Sequence, residues 1–416
     1  MLGFTFYYEP NREEKSMNSL IKKIICLTAL IAMLTILVGC NNNSSDIENM
    51  PEVVTIGFIG PLSGANASEG IAAQAAFEMY INQAVKEYNF PYQINVVAYD
   101  DQSRPEVGAE AAQKLVDDQT VLVTAGHWNS PVAEATIPIF KEATCPMIIW
   151  GAISDSLTSE FNYPYITRVV PTDSQENQPL AGYVLGDLGY SKIYVITPDT
   201  SYGKSNTEAF KIQMANYSAE MTGFLLTDNQ TTDFTATLNQ VRATGSEAIY
   251  YGGNAQECHI IAQQMQQMGL SDVLLFGISG IATEEFIENA GYVAAEGTIA
   301  IYPGASPESS EAYSEFLNDY NNYTDYPAGA FTVYAYQTAQ IIIEALDNIQ
   351  GVPTREKLTD AIANIEMEGV MGPTTFDAIG QTTNPMCYLV VCQDGKWIPY
   401  DSSEYATSLR SLPGRH

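Results

Sequence analysis

Short apolar runs alternate along the chain with longer segments of helical spacing. The runs are rich in β-branched residues, as in VVTIGFIG and VLVTAG, and the segments between them repeat apolar residues every three or four positions. Parallel strands that are covered by helices on both faces read as such continuous runs, so the pattern predicts βαβ units. The predicted strands are 53–60, 94–100, 121–126 and 147–150, and the predicted helices are 71–87, 106–117 and a segment from 130.

The alternation starts again after a proline-containing stretch at 166–180. A second lobe of the same design is therefore predicted, which makes the fold class α/β with two lobes, each a mostly parallel doubly wound sheet flanked by helices. Its predicted strands are 193–197, 221–227, 248–253 and 273–277, its helices begin near 203, 235 and 256, and the chain ends with a strand at 298–304, helices at 311–322 and 331–349, and strands at 388–394 and 396–400.

A different pattern precedes the first strand. Lys22 and Lys23 are followed by an apolar stretch at 24–38 that is shorter than a membrane span, which is typical of a signal peptide and favours translation from Met17. The stretch ends in LVGC, which resembles a bacterial lipobox whose Cys40 is acylated after cleavage. We therefore expect a leader over 1–39, lipid on Cys40 and a polar tether over 40–52.

Length bears on the number of domains, and charge bears on the possible partners. The 416 residues exceed what one compact core holds, so two domains are expected. Removal of residues 1–39 takes away four basic and three acidic side chains, and the net charge falls from −31 to −32. At this charge we expect no nucleic acid as a partner, whereas the charge of a small ligand is not fixed by an acidic surface.

The cysteines predict neither a metal site nor a disulfide. Two of the six, Cys26 and Cys40, lie in the leader or at its end, and the remainder show no CxxC or Cys/His spacing. Cys387 and Cys392 are five positions apart in one predicted strand and would point to opposite faces, so free buried thiols are expected. We expect no cofactor and no metal.

Four segments stand out in order along the chain, namely VVTIGFIGPLSGANASEGIAAQAAFEMYIN, VVAYDDQSRPEVGAEAAQKLV, DFTATLNQVRATGSEAIYYGG and GVMGPTTFDAIGQ. Together they resemble the Leu/Ile/Val-binding, type I periplasmic-binding family of ABC importers, and the resemblance covers roughly residues 53–400. It implies that the chain crosses between lobes three times, with a first lobe of 53–170 plus 301–384, a second lobe of 171–300 plus 385–400 and a C-terminal tail of 401–416.

The resemblance also implies a function. It is that of a monomeric, extracytoplasmic, lipid-anchored protein, which captures a small solute between two lobes and delivers it to ABC permease and ATPase subunits. Contact with the membrane is expected through the lipid anchor only. The expected ligand is a branched-chain or similar apolar amino acid. An amide, a urea-like solute, an aromatic acid, or a sensory rather than a transport role remain alternatives, because function lies in the site and not in the fold.

The candidate ligand contacts begin at the corner after the third strand. Ser130 and Pro131 suit a helix start, where a serine hydroxyl can cap the free amides and the helix N-terminus can bind a carboxylate. In the resembling family this serine binds the ligand carboxylate. The family also uses the loop at 150–158, where Ala152 matches a backbone donor, but Ile153 replaces the usual threonine hydroxyl.

Further contacts follow from the resemblance. Tyr202 matches a residue that covers the ligand from the second lobe, and Phe331 matches an aromatic residue at the cleft edge. Trp128 and Trp150 flank the corner as aromatic contacts or as core. Asn254 stands where an aromatic residue is common.

Ser279 stands where amino-acid binders carry an acid for the α-ammonium group. Either another acid enters the cleft, with Asp155, Glu257 and Glu284 as candidates, or the ligand lacks an ammonium group. On this basis deamino analogues are predicted to bind within about tenfold of the amino acid.

An enzymatic function finds little support in the sequence. The three histidines are His127, His259 and His416, and only His127 lies near a hydroxyl, that of Ser130. No acid that could orient His127 is evident, so we expect a hydrogen-bonded structural histidine, no catalytic residue and no enzyme.

Overall fold

The computed structural model describes residues 50–161, 164–228, 230–304 and 310–414, and the chain from residue 52 forms one compact unit. The leader, Cys40 and nearly all of the tether lie outside the described residues, so the signal peptide and the lipid anchor stay predictions. Among the described residues, no helix is long and apolar enough to cross a membrane.

The first lobe is built on a five-stranded parallel sheet in the order β2-β1-β3-β4-β5. Its central strands are buried along almost their whole length, which explains their continuous apolar sequence, whereas the edge strand β2 is partly exposed. The strands are β1 (Val53–Gly60), β2 (Gln93–Asp100), β3 (Val121–Ala125), β4 (Met147–Ile149) and β5 (Ile166–Arg168), and the helices are α1 (Ala67–Glu87), α2 (Pro105–Asp117), α3 (Ser130–Glu142) and α4 (Ser156–Ser159).

The chain then crosses to the second lobe through α5 (Asp173–Ala181) and a π-helical turn at Gly182–Asp187. The second sheet has seven strands in the order β14-β13-β10-β9-β8-β6-β7, of which β13 and β14 run antiparallel to their neighbours. The strands are β6 (Lys192–Pro198), β7 (Glu220–Thr227), β8 (Ala248–Tyr251), β9 (Leu274–Gly277), β10 (Ile299–Pro303), β13 (Cys387–Gln393) and β14 (Lys396–Pro399), and the helices are α6 (Ser201–Asn216), α7 (Thr235–Thr244), α8 (Ala255–Gln267), α9 (Glu284–Ala290) and α10 (Tyr292–Ala295).

After β10 the chain returns to the first lobe, where α12 packs on α1 and β3. The returning segment contains α11 (Glu311–Tyr323), α12 (Thr332–Asn348), α13 (Arg355–Ala363), β11 (Met367–Gly369) and β12 (Gly372–Thr374). Because β10 belongs wholly to the larger sheet, this crossing comes after Pro303 and not at the expected boundary of 301. The chain crosses between the lobes for the third time between β12 and β13.

The segment expected as a tail after residue 400 is packed on the second lobe. Arg410 forms ion pairs with Glu296, Asp394 and Glu404, with N–O distances of 2.6 to 2.8 Å. Leu412 is buried as well, with 5% exposure. This segment is therefore part of the folded lobe as far as residue 414.

The two sheets share a topology that determines where a ligand can bind. The order β2-β1-β3-β4-β5 is repeated as β7-β6-β8-β9-β10. The strand order therefore reverses between β1 and β3 in the first sheet and between β6 and β8 in the second, and these are the switch points. In such sheets ligands bind beyond the carboxyl ends of the strands at the switch point. The predicted fold class is confirmed. The cysteines of the described part, Cys145, Cys258, Cys387 and Cys392, are all free.

Candidate ligand-binding site

Turns that follow the strands of both sheets line a cavity of about 280 Å³. Its lining comes from the turns after β1, β2, β3 and β4 in the first lobe and after β6, β8 and β9 in the second. Most of the residues predicted as ligand contacts line it, but Ala152 and Trp150 do not. Those that do are Trp128, Ser130, Ile153, Tyr202, Asn254, Ser279 and Phe331.

Helix α3 begins at the cavity, but Ser130 does not cap it. Ser130 is the first helical residue, Asn129 holds the cap position, and neither side chain accepts a hydrogen bond from the first turn. The Ser130 Oγ instead accepts a hydrogen bond from the amide of Ser154 at 3.2 Å. The expectation of a serine cap is therefore wrong, although the helix start at Ser130 was predicted. The hydroxyl proton of Ser130 still allows it to donate to another group.

Five helices begin at this cavity. The cap residues of α1, α3, α6, α8 and α12 are Asn66, Asn129, Thr200, Asn254 and Phe331, and all of them line it. Only Thr200 caps its helix with a side-chain hydrogen bond. Unpaired amides and helix dipoles make the region favourable for an anion. None of the described residues that line the cavity is charged, so a bound anion would depend on these neutral donors.

The loop after β4 is fixed by a buried arginine. Arg168, with 0% exposure, donates to the carbonyl oxygen of Ser154 at 2.6 Å, to Thr158 Oγ1 at 2.8 Å and to Gln381 Oε1 at 2.6 Å. Burial lowers the pKa of Arg168 to about 10, which leaves it charged at neutral pH. Because three different segments share this side chain, the loop is held close to the start of α3.

The backbone amide of Ala152, in the same loop, already donates a hydrogen bond within the protein. It donates to the carbonyl oxygen of His127 at 3.0 Å, so it is not available as the expected donor to a ligand. Ile153 does line the cavity but offers an apolar side chain, as its sequence predicted. At position 153 the loop thus forms part of the cavity wall but offers no hydroxyl group to a ligand.

His127 lies in a buried chain of polar groups. Its Nδ1 is 3.0 Å from Asp101 Oδ2, and its Nε2 is 2.9 Å from Thr136 Oγ1. The sequence analysis found no orienting acid, and Asp101 corrects that point. All three side chains have 0% exposure, however, and Ser130 is bonded elsewhere. The arrangement resembles an acid, base and hydroxyl triad, but none of its three residues lines the cavity, so we assign it a structural role.

The aromatic residues at the corner divide into two groups. Trp128 and Phe331 line the cavity and meet edge to face, with ring centroids 6.2 Å apart. The Trp128 Nε1 is buried without a hydrogen-bond partner. Trp150 lies in the core, where it stacks on Phe58 and donates to the carbonyl oxygen of Ile59. Of the two readings left open for Trp150, the structure supports core packing.

In the second lobe, Tyr202 and Asn254 converge on Gly280. A Cβ atom at position 280 would lie 2.3 Å from Tyr202 Oη and 2.7 Å from Asn254 Oδ1, which no real contact permits. A glycine is therefore needed at this turn. Burial, followed by the negative charge of Glu176, raises the pKa of Tyr202 well above its usual range, so its hydroxyl stays protonated.

A buried acid stands directly behind Ser279. Glu176, on α5, has 0% exposure, and its Oε2 accepts a hydrogen bond from the Ser279 amide at 3.1 Å. Its Oε1 has no partner, and neither has the Ser279 Oγ, which lies near the carboxylate without hydrogen-bond geometry. Burial raises the pKa of Glu176 to about 7, and the hydroxyl and amide of Ser279 act in the opposite direction. An acid is thus present one layer behind the position where the sequence lacks one.

The three acids suggested from the sequence lie elsewhere. Glu257 accepts hydrogen bonds from Thr227 and Tyr251 inside the second lobe, and Asp155 accepts one from Ser174. Glu284 lines a different cavity. None of them lines the cavity at Ser279.

Sequence reasoning missed Glu176 and Arg168. Both lie in or beside the stretch 166–180, which was interpreted only as a connection between the lobes. Charged residues there are flanked by apolar ones, as in ITRVV, and this is the one local indication that Arg168 is buried. Glu176 lies in a polar segment, where nothing distinguishes it from a surface acid.

Comparison with known proteins places the chain. The family described as periplasmic binding protein matches residues 53–396. An amino acid binding protein of Pseudomonas aeruginosa is 26% identical over 338 residues, which cover 79% of this chain and 87% of that protein. A leucine-, isoleucine-, valine-, threonine- and alanine-binding protein of the same species is 25% identical over 335 residues, 80% of this chain and 88% of that protein.

Solved structures show the same fold. The branched-chain amino acid transporter substrate binding protein LivJ of Streptococcus pneumoniae, in complex with isoleucine, has a TM-score of 0.76 at 24% identity, and the match covers 83% of this chain and 97% of that one. A solute binding protein of an ABC transporter of Rhodopseudomonas palustris, in complex with 3,4-dihydroxybenzoic acid, has a TM-score of 0.73 at 24% identity, covering 84% and 96%.

Two sheets that share the order of five strands enclose a cavity at which several helices begin, which is the architecture of a two-lobe solute-binding protein. The match over most of its length carries the assignment further. The chain belongs to the periplasmic binding protein family. It is accordingly an extracytoplasmic substrate-binding protein associated with transport, and not an enzyme.

Proposed function

We propose that this protein captures an apolar α-amino acid of the leucine, isoleucine or valine type in the cavity at Ser130. The carboxylate binds at the start of α3, where the Ser130 hydroxyl and the uncapped amides donate to it. The ammonium group lies toward Ser279, whose hydroxyl accepts from it while the Glu176 carboxylate supplies the negative charge. Tyr202 closes the cavity from the second lobe, and Trp128 and Phe331 contact the side chain.

The observation that carries this proposal is the pairing of opposite electrostatic environments in one small cavity. Uncapped helix starts favour a carboxylate on the first lobe, and the unpaired Oε1 of Glu176 favours a cation beside the second. A cavity of about 280 Å³ suits one small solute, because sites for larger ligands reach about 300 to 1,000 Å³. The binding of branched-chain amino acids by similar proteins agrees with this ligand class.

Calorimetric titration with leucine and with 4-methylpentanoate, its deamino analogue, tests the proposal. Glu176 supplies a carboxylate that the sequence analysis did not include, so we expect the amine to contribute more than the tenfold limit predicted from Ser279. The wild-type protein should bind leucine at least about a hundredfold more tightly. Equal affinities would show that the natural ligand carries no ammonium group.

An aromatic acid is the second candidate. The aromatic side chains of Trp128 and Phe331 line the cavity beside the anion-binding corner, and a protein of the same fold was solved with 3,4-dihydroxybenzoic acid. Benzoate and 4-hydroxybenzoate belong in the same titration series. Tighter binding of either compound than of leucine would favour this candidate, because such ligands need the corner but not the acid at Glu176.

The site supports a role in uptake when it is combined with the leader. A lipid on Cys40 would hold the protein at the outer face of the cell membrane, where a monomer would deliver its ligand to permease and ATPase subunits. Cys40→Ser should release the protein from membranes of a bacterial host, as measured by fractionation after a high-salt wash. Retention of the substituted protein would contradict the anchor but leave the ligand assignment intact.

A further inference from the structure

A second cavity, of about 590 Å³, lies beside the first, and Ala65 borders both. Its lining comes from both lobes. The starts of α1 and α12 and one face of α11 form the side from the first lobe, and α9 together with β10, β13 and β14 forms the side from the second. None of the proposed amino-acid contacts described above lines it.

Four carboxylates line this second cavity. Glu69 belongs to α1 of the first lobe, and Glu284, Glu285 and Glu288 belong to α9 of the second. No lysine, arginine or histidine is among the described residues that line it. Burial raises the pKa of Glu284, and the positive charge of Lys396 acts in the opposite direction. The cavity therefore carries a net negative charge when its acids are ionised.

Glu69 is the most unusual of the four. It has 8% exposure, and its Oε2 has no hydrogen-bond partner. The carboxylate lies over Gly329, where an added Cβ would meet its oxygens at 2.5 and 2.7 Å, and both residues line the cavity. Burial and the charge of Glu285 raise its pKa to about 7, whereas a hydrogen bond from the Phe331 amide acts in the opposite direction. An unpaired buried carboxylate is costly unless a cation or donor reaches it.

Aromatic rings complete the lining. Tyr302 and Tyr388 lie with their centroids 5.5 Å apart, and Tyr313 and Trp397 border the same space. Aromatic faces combined with carboxylates recognise organic ammonium cations, because the negative ring faces and the acids attract a large, weakly hydrated charge. In the described part of the chain, no group of acidic, histidine or cysteine side chains is close enough to hold a metal ion. The chemistry therefore favours an organic cation over a metal.

We propose that the second cavity binds an organic ammonium cation between the two lobes, with Glu69 and Glu285 as the charged contacts and Trp397, Tyr302 and Tyr388 as the aromatic ones. This site is separate from the amino-acid site and does not depend on it. A cation bound here would also remove the repulsion between Glu69 on one lobe and Glu285 on the other. It would thereby favour their close approach.

The test uses choline and its neutral isostere, 3,3-dimethylbutan-1-ol, which share shape and differ in charge. Calorimetric titration of the intact protein at about pH 8, where Glu69 is ionised, should show saturable binding of choline. The alcohol should bind at least about tenfold more weakly. Equal binding of the two compounds, or no saturable binding of choline, would overturn the proposal.

Matched variants separate the cavity from the general acidity of the protein. Glu285→Gln should weaken choline binding by about tenfold, whereas Glu110→Gln, the same change at an exposed position on α2, should leave it unchanged. Equal effects of the two variants would reduce the interaction to non-specific attraction and overturn the proposal. Glu69→Gln keeps the side-chain shape and should weaken choline binding as well, with the melting temperature as the check on folding.

Ser130→Ala distinguishes this proposal from the proposed function. It alters the amino-acid site and should leave the affinity for choline unchanged. If leucine fails to bind while choline binds and depends on Glu285, the cation site stands and the amino-acid assignment fails. If Ser130→Ala abolishes choline binding, choline occupies the first cavity and the second site is wrong.

Discussion

The two sheets have the same strand order, yet the turns at their carboxyl ends carry different chemistry. In the first lobe, the groups that support the corner are paired: His127 lies between Asp101 and Thr136, and Arg168 holds the neighbouring loop. In the second lobe, the turn after β9 places Ser279 against Glu176, and each retains a buried oxygen without a partner. The charged groups of the first corner are paired, although Trp128 Nε1 and Ser154 Oγ beside them lack partners, whereas the second corner contains a carboxylate that is not fully paired.

We infer from this difference that the paired groups hold the backbone in place and that the unpaired ones contact the ligand. Satisfied buried networks hold a backbone in one geometry, which suits a helix start that must present its amides to a carboxylate. Unpaired buried groups cost free energy until a ligand reaches them, and they therefore indicate where a ligand of opposite charge belongs. Topology gives both lobes a place to bind, but the side chains decide which charge each place accepts.

The largest expected effect concerns the paired corner. Arg168→Met removes the donor shared by Ser154, Thr158 and Gln381 and leaves their oxygens buried and unpaired. The free energy of unfolding should fall by about 3 to 5 kcal/mol, as measured by urea denaturation without ligand. Arg168→Lys keeps the charge but loses the planar guanidinium group, so its free energy of unfolding should lie between those of the wild type and Arg168→Met. A loss of less than about 1 kcal/mol would show that the corner does not depend on this network.

In the second lobe, replacement of the incompletely paired Glu176 should increase the free energy of unfolding, whereas replacement of Arg168 should lower it. The pKa of Glu176 is raised from its ordinary value of 4.5 to about 7, so its stabilising contribution is fully present below pH 4.5 and is lost as pH rises through 7. Glu176→Gln cannot ionise and should therefore stabilise the free protein by up to about 3 kcal/mol near pH 8. Urea denaturation near pH 4 and pH 8 measures the difference, which should vanish at the lower pH.

The same variant should lose affinity for leucine, because the ammonium group loses its carboxylate. Glu69→Gln is the matched control, since burial raises the pKa of Glu69 to about 7 as well. It should show the same gain in stability near pH 8 but keep the wild-type affinity for leucine. A Glu176→Gln variant that is less stable near pH 8 and binds leucine normally would remove this acid from the site.

Next in size is the contact at the cavity edge in the second lobe. Gly280→Ala forces Tyr202 to move, because the new Cβ would lie 2.3 Å from its hydroxyl oxygen. Affinity for leucine should fall by about tenfold to a hundredfold by calorimetry. Tyr202→Phe removes the clashing oxygen, so the double variant should recover part of that loss. No recovery would mean that the crowding at Asn254 Oδ1 and at the Gly253 carbonyl oxygen, 2.7 and 2.8 Å from the same Cβ, dominates.

The residues explain how far the sequence alone could reach. Strands such as β1 and β3 were predictable because burial on both faces makes their sequence continuously apolar. The helix start at Ser130 was predictable from the Ser-Pro step. The hydrogen bond between Ser279 and Glu176 joins positions 103 residues apart, and that between His127 and Asp101 joins positions 26 apart. Local periodicity carries no information about such pairs, so the acid behind Ser279 emerged only in three dimensions.

The smallest expected effect concerns Ser130 itself. Its Oγ accepts a hydrogen bond from the Ser154 amide, and its own proton is free for a ligand carboxylate. Ser130→Ala removes both bonds, but the amides at the start of α3 remain, so affinity should fall by only about 1 to 2 kcal/mol. Leucine and 4-methylpentanoate should lose equally in calorimetry because both carry the carboxylate, unlike the selective loss at Glu176. Ser154→Ala keeps the amide and removes only an unpaired buried hydroxyl, so it should bind as the wild type does. An unequal loss between the two ligands would place the ammonium group, and not the carboxylate, at the start of α3.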